Sequence, residues 1–274
     1  MSSQSTTVAE RLVAKDQTVT VAGLVVLTLL AWFWVLIGAG TGMSTIAMTT
    51  FEFPPPARDG MIMAWSLAYA AIMLMMWWIM MIAMMIPSAA PMILLYARVA
   101  RHAQRRGQMQ AGTLPTSAFV GGYLASWFGF SVLATAAQWA LERAGVLHQM
   151  LMWSTSTTLT GLLLIAAGLY QLTPLKTACL EHCRSPATYL SQHWRDGQWG
   201  AFRMGLSHGT YCLGCCVALM ALLFAGGVMN LVWIAGLAVF VLIEKLAPRG
   251  HQFGKILALF MLGAGVWLLL QQAA

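Results

Sequence analysis

Long charge-free runs of apolar residues alternate along the chain with short polar connections. A bilayer core about 30 Å thick takes roughly 20 apolar residues per helix, and runs near 19–37, 61–86, 116–141 and 155–173 each have about that length. Pro87 and Pro91 are expected to kink or end the second run. The stretch 204–243 carries no charge over 40 residues; as one helix it would reach about 60 Å, twice the membrane. Gly226-Gly227 near its middle, followed by Asn230, predicts a tight hairpin between spans at 202–225 and 228–246. A seventh span is predicted at 254–270. The expected fold is therefore all-α: a polytopic membrane helix bundle with a polar tail over 1–18 and a single transmembrane domain over 19–271.

Composition excludes a water-exposed globule, since 59% of the 274 residues are hydrophobic and 8% are charged, against about 25% charged in soluble domains. The formal net charge of +7 matters through its distribution. With the N-terminus inside, all but Arg58 and Arg143 of the 15 Lys and Arg fall in inner segments, the asymmetry of the positive-inside rule. Seven spans, N-in and C-out, preserve that asymmetry, whereas six break the alternation. The basic residues line no single face, so nucleic acid is not an expected partner. The tail carries Glu10 and Asp16, and the apolar run after it is long and lacks a small-residue cleavage site, so a retained tail is expected in place of a cleaved signal.

All five cysteines fall in two places on the predicted cytosolic side. Cys179-Leu-Glu-His182-Cys183 follows span four, and His208-Gly-Thr-Tyr211-Cys212-Leu-Gly-Cys215-Cys216 opens span five. Cytosolic thiols stay reduced, which favours metal binding or redox chemistry over structural disulfides. At helical spacing His208, Cys212, Cys215 and Cys216 share a stripe about 100° wide. His208 and Cys216 are about 12 Å apart along the axis, so one helix cannot supply a compact four-ligand site. Cys212, Cys215 and Cys216 are expected to cluster, with a loop bearing His182 and Cys183 closing the shell. Imidazole and thiolate suit Zn²⁺ and Cu(I), and thiolate selects the softer ion. Cys212-Leu-Gly-Cys215 also has dithiol spacing, but no thioredoxin-like context surrounds it. Packing is the remaining use of buried cysteine.

Span two contributes much of the unusual total of 20 Met. Met73, Met76, Met80 and Met84 form a stripe about 80° wide and about 16 Å long. Thioethers are soft and uncharged, so such a row can pass Cu(I) through an apolar region where carboxylates would be costly; filling gaps in a helix bundle is its plainer use. The row points from the outer side, where Met43, Met48, Met61 and Met63 gather, toward the cysteines. His148 is expected in a solvated outer loop, and His102, His193 and His251 in solvated inner ones. Glu244 and Lys245 are expected to snorkel or pair locally at a span end. No acidic residue lies well inside a span, which argues against a carboxylate proton relay. Gly121, Ala125 and Gly129, and separately Gly205 and Gly209, are spaced for close helix packing. The second pair is expected to admit another backbone beside His208, such as the Cys183 segment.

Three segments carry a family resemblance: Met80-Met-Ile-Ala-Met-Met-Ile-Pro87, Tyr170-Gln-Leu-Thr-Pro-Leu-Lys176 through Cys183-Arg-Ser-Pro186, and Gly205-Leu-Ser-His208 through Cys216. Together they resemble a bacterial family of uncharacterised "predicted metal-binding integral membrane proteins" over about 66–270. The resemblance implies metal binding and a multi-pass protein of the bacterial inner membrane. The leading expectation is a protein handling Cu(I), with Zn²⁺ as the other candidate, either moving the ion or delivering it for metalloprotein assembly. Its partners would be the lipid bilayer, the metal ion and a metallochaperone or membrane complex, with self-association left open. Nothing resembles a phosphate loop, a nucleophile–base triad or a cofactor fingerprint, so no enzyme is expected. The alternatives are a thiol–disulfide carrier using Cys212 and Cys215, which lacks an outer cysteine to receive electrons, and a non-catalytic subunit of a membrane complex.

Overall fold

The computed structural model describes residues 8–55, 64–106 and 115–273. Its helices are α1 (Val8–Leu36), α2 (Leu67–Arg105), α3 (Pro115–Arg143), α4 (Thr157–Gln171), α5 (Pro174–Arg184), α6 (Pro186–His193), α7 (Gly197–Ala221), α8 (Leu223–Gly226), α9 (Leu231–Leu246) and α10 (Gly250–Ala273). Among the described residues there is no strand beyond one isolated antiparallel bridge, Leu147 to Ser154. The all-α expectation holds.

Five helices are long and apolar enough to cross a membrane, and a sixth is added if α4 and α5, bent by 64°, count as one broken span. The expected number was seven. The difference lies in α4 and α9, which have 15 and 16 residues. At 1.5 Å per residue they reach about 22 and 24 Å, short of an apolar core of about 30 Å.

Local chemistry explains the breaks. Ser66 caps α2 by accepting from the Tyr69 amide, and Ser156 caps α4 through the Leu159 amide. Thr173 caps α5 with Pro174 at its first turn, a pairing that stops α4 and starts a helix in a new direction. Segment 174–184, expected as a loop, is thus helical. The chain turns where the glycines predict it: Gly227 adopts φ +108° and the Asn230 side chain caps α9 through the Val232 amide; α9 packs chiefly on α2 and α10. The prolines of α2 behave otherwise than one expectation allowed, because the helix does not end at Pro87 or Pro91 but continues to Arg105, 39 residues in all. The carbonyls that the two prolines leave without an amide partner are those of Ala83 and Pro87. In the same stretch the Ser88 hydroxyl donates to the Met85 carbonyl at 3.0 Å, and the Tyr123 hydroxyl of α3 reaches that carbonyl at 3.3 Å. Met61, Met63, Arg58 and residues 1–7 of the tail lie outside the described residues.

Helix α3 packs along α7 and α4 along α10. At the first crossing the backbones touch: a Cβ added at Gly205 would strike the Phe119 carbonyl, and one at Gly209 would meet Ser126. The backbone admitted beside His208 is therefore that of α3. Gly121 and Gly129 face open space, and Gly122 makes the close approach, against the Phe202 carbonyl. Helix α5 reaches α7 at Gly214, where an added Cβ would lie 2.7 Å from the Cys179 Sγ. A buried ion pair between Lys176 and Glu244 holds α5 to α9, and Arg184 donates to the Glu244 and Ala247 carbonyls at 2.7 Å each.

Candidate metal centre

The inward face of α7 carries the expected stripe. His208, Cys212, Cys215 and Cys216 are all buried, the cysteines at 1% exposure. Helix α5 brings its own thiols to that face. The Cys183 Sγ is 4.0 Å from the Cys215 Sγ and interacts with Cys212 as well, while Cys179 lies against Gly214. All five cysteines are free thiols. Two sequence segments about thirty residues apart thus meet in one thiol-rich corner, as the spacing of α5 and α7 along the chain requires once α4 bends.

Among the described residues no three His, Cys, Asp or Glu side chains converge as a metal-holding group. Cys212, Cys215 and Cys216 interact with one another through their side chains, and each thiol also has a further partner. Cys215 and Cys216 donate back to the Cys212 carbonyl at 3.0 and 2.9 Å, the back-bonding available to a small polar side chain in a helix. The Cys212 Sγ instead takes the Lys245 ammonium at 2.9 Å and the Tyr123 hydroxyl at 3.1 Å. These back-bonds are weak, so a thiophilic ion competes with them at the cost of side-chain rotations.

The histidines separate. His208 is packed among Phe119, Tyr123 and Tyr189 with ring centroids 5.5–6.2 Å away, and its Nδ1 is buried without a hydrogen-bond partner. An unsatisfied buried nitrogen costs stability unless something binds it, which suits a ligand. His182 stacks on Tyr211 at 4.2 Å and its Nδ1 contacts the Ala178 carbonyl at 2.8 Å. Two other expectations change: His193 stacks on Tyr189 at 4.7 Å, and His148 is buried, its Nδ1 accepting from the Leu151 amide at 3.1 Å. Tyr189, on the short α6, donates to the Met204 carbonyl at 2.9 Å; burial is the main cause that raises its phenol pKa, so it stays neutral.

The methionine stripe of α2 also faces inward. Met73, Met76, Met80 and Met84 are fully buried, as are Met81 and Met85. The row ends at the thiols. The Met85 carbonyl meets Tyr123, whose hydroxyl contacts Cys212, and Ser88 accepts from the same Lys245 ammonium at 3.2 Å. Met43 and Met48, the two described methionines of the first loop, pack against or within the core.

Lys245, Tyr123 and Ser88 are the site residues that sequence reasoning passed over. Lys245 carried a usable signal. Adjacent residues on a helix do not face each other, so Glu244 and Lys245 could not pair locally and each needed a separate partner. Glu244 found Lys176, and Lys245 found Cys212.

The chain is thus an all-helical bundle with membrane-length apolar helices and soft sulfur side chains at one buried corner. Residues 74–268 match the family PpoB2, described as a copper chaperone. The match covers well over half of the chain, and the chain belongs to that family. The family shown is this copper-related one, in place of the uncharacterised metal-binding family that the motifs resemble. No curated protein and no solved structure matches the chain.

Proposed function

We propose that the protein is a multi-pass protein of the bacterial inner membrane that binds Cu(I) at its cytosolic-side thiols and delivers it for metalloprotein assembly, without enzymatic activity. The observation that carries this reading is the meeting of α5 and α7, where Cys183 lies 4.0 Å from Cys215 beside Cys212. Thiolates from separate helices are a natural soft-ion site, and Cys179, His182, His208 and Cys216 stand around it as further ligands. Met73, Met76, Met80 and Met84 form the approach, because ligand exchange from thioether to thiolate runs downhill for Cu(I). Copper is preferred over zinc because the family is a copper one and because the row offers sulfur alone. Seven spans, N-in and C-out, within one domain over 19–271 remain the arrangement that best fits the basic residues. The short α4 and α9 would then cross through local thinning of the bilayer.

The test is elemental mass spectrometry of detergent-purified protein beside Cys212→Ser/Cys215→Ser/Cys216→Ser. Near-stoichiometric copper lost in the variant is the expected result. Zinc in its place would turn the row into packing, and no metal under reducing, copper-supplemented conditions would sink the reading. The sulfur–sulfur approach of Cys183 and Cys215 also favours a second reading, a thiol–disulfide carrier. That reading requires a redox-dependent shift on thiol labelling, which a copper-binding role does not.

A further inference from the structure

The far end of the methionine row holds a polar group that the copper reading leaves unused. Glu142 closes α3 and is 5% exposed. Its Oε2 accepts from the Trp65 indole at 2.7 Å and its Oε1 from the Gln138 amide at 2.8 Å. Gln138 is fully buried, and its own Oε1 accepts from the Trp77 indole at 2.8 Å. The Gln138 Nε2 that serves Glu142 also lies 3.5 Å from the Met73 Sδ. No Lys or Arg among the described residues pairs with Glu142. An acidic group was not expected inside the bundle, and its burial is the departure that calls for a reason.

Elementary electrostatics narrows the reason. A carboxylate in apolar surroundings is costly, and residues of this kind within a membrane bundle usually mark an ion's path. Two neutral N–H donors compensate it in part, and a whole positive charge would do so more fully. The Gln138 amide nitrogen reaches a carboxylate oxygen on one side and a thioether sulfur on the other, so it links the two groups that a bridging cation would join. The hydroxyls farther along α3 offer no competing hard ligands, since Ser131 and Thr135 donate back into their own helix at 2.8 Å each.

We propose that Glu142 and Met73, organised by Gln138 and the Trp65 and Trp77 indoles, form a second and weaker site for a soft monovalent cation, Cu(I) or its analogue Ag(I). The inference rests on the copper reading above and adds the place where the ion is first held. One carboxylate neutralises one monovalent cation, whereas a divalent ion would leave a net charge in the apolar core. A carboxylate and a thioether bind Cu(I) less strongly than thiolates do. An ion released here therefore moves down the row of Met76, Met80 and Met84, about 16 Å along α2, to the cysteines.

The test is competitive titration of the detergent-purified full chain with Cu(I) against a Cu(I) chelator under reducing conditions. The wild type is expected to show a tight and a weaker class of sites. Glu142→Gln, which preserves shape and hydrogen-bonding capacity, is expected to weaken the second class at least tenfold and leave the first unchanged. Met73→Leu, a volume-conserving change that spares the carboxylate, is expected to act in the same direction. Absence of a weaker class in the wild type, or a weaker class untouched by both variants, would overturn the proposal. In the same titration the triple cysteine variant is expected to lose only the tight class. A tight class that survived there would defeat the thiol reading and leave the Glu142 result to stand or fall by its own variants.

Discussion

The two ends of the methionine row carry buried charges of opposite sign. At one end the Lys245 ammonium lies 2.9 Å from a thiol and 3.2 Å from a hydroxyl; at the other the Glu142 carboxylate is met by an indole and an amide. No described residue forms an ion pair with either. The third such site, Lys176 with Glu244, is paired in the ordinary way. The difference separates structural charge from charge that is waiting for something. A paired charge fastens one helix to another. Lys245 is answered by the Cys212 sulfur among the thiols and Glu142 by neutral donors, so under the proposed reading Glu142 is the charge open to a cation.

The sharpest way to break this comparison is at the structural pair. Lys176→Met leaves Glu244 buried and uncompensated, and about 3–5 kcal/mol of stability is expected to be lost, read as a fall in unfolding midpoint in detergent. Lys245→Met removes an ammonium that holds no carboxylate, so a smaller loss of about 1–3 kcal/mol is expected in the same assay. Equal losses would erase the distinction between the two lysines. Gly214→Ala places a methyl 2.7 Å from the Cys179 Sγ and is expected to push α5 from α7. In a background that keeps Cys179, Cys183 and Cys215, it should lower the yield of the Cys183–Cys215 crosslink, read by peptide mapping, severalfold. Met80→Leu/Met84→Leu, which interrupts the row between its ends, is expected to cost less than about 1.5 kcal/mol. Its effect should appear as slowed copper arrival at the cysteines in cells, with stability nearly unchanged; unaltered cellular and bound copper would make the row packing alone.

Much of this arrangement is legible from residue order. Charge-free runs locate the long helices, Gly226-Gly227 with Asn230 locates the turn before α9, and the angular positions of His208, Cys212, Cys215 and Cys216 locate their common inward face. What stays hidden depends on partners distant in sequence. The turn of α4 into α5 is encoded locally in Thr173-Pro174, a cap and first-turn pair, but the polar composition of 174–184 resembles a loop until α7 is there to cover it. Pro87 and Pro91 read as breakers because the packing that holds α2 past them comes from other helices, α1 and α3 above all. The thiol rotamers are invisible for a related reason: the spacing that gathers Cys215 and Cys216 on one face also lets both bond to the Cys212 carbonyl. Glu142 looks like a span-end residue because nothing in its neighbourhood announces Trp65, 77 positions earlier.

The central claim is that thiols of α5 and α7 hold one copper ion together, and X-ray absorption at the copper edge tests it most directly. Cu(I)-loaded wild-type protein is expected to show a shell dominated by sulfur at thiolate distances. Cys183→Ser, which removes only the α5 contribution, is expected to lose one sulfur from that shell. A shell of nitrogen and oxygen, or one unchanged by Cys183→Ser, would contradict the account.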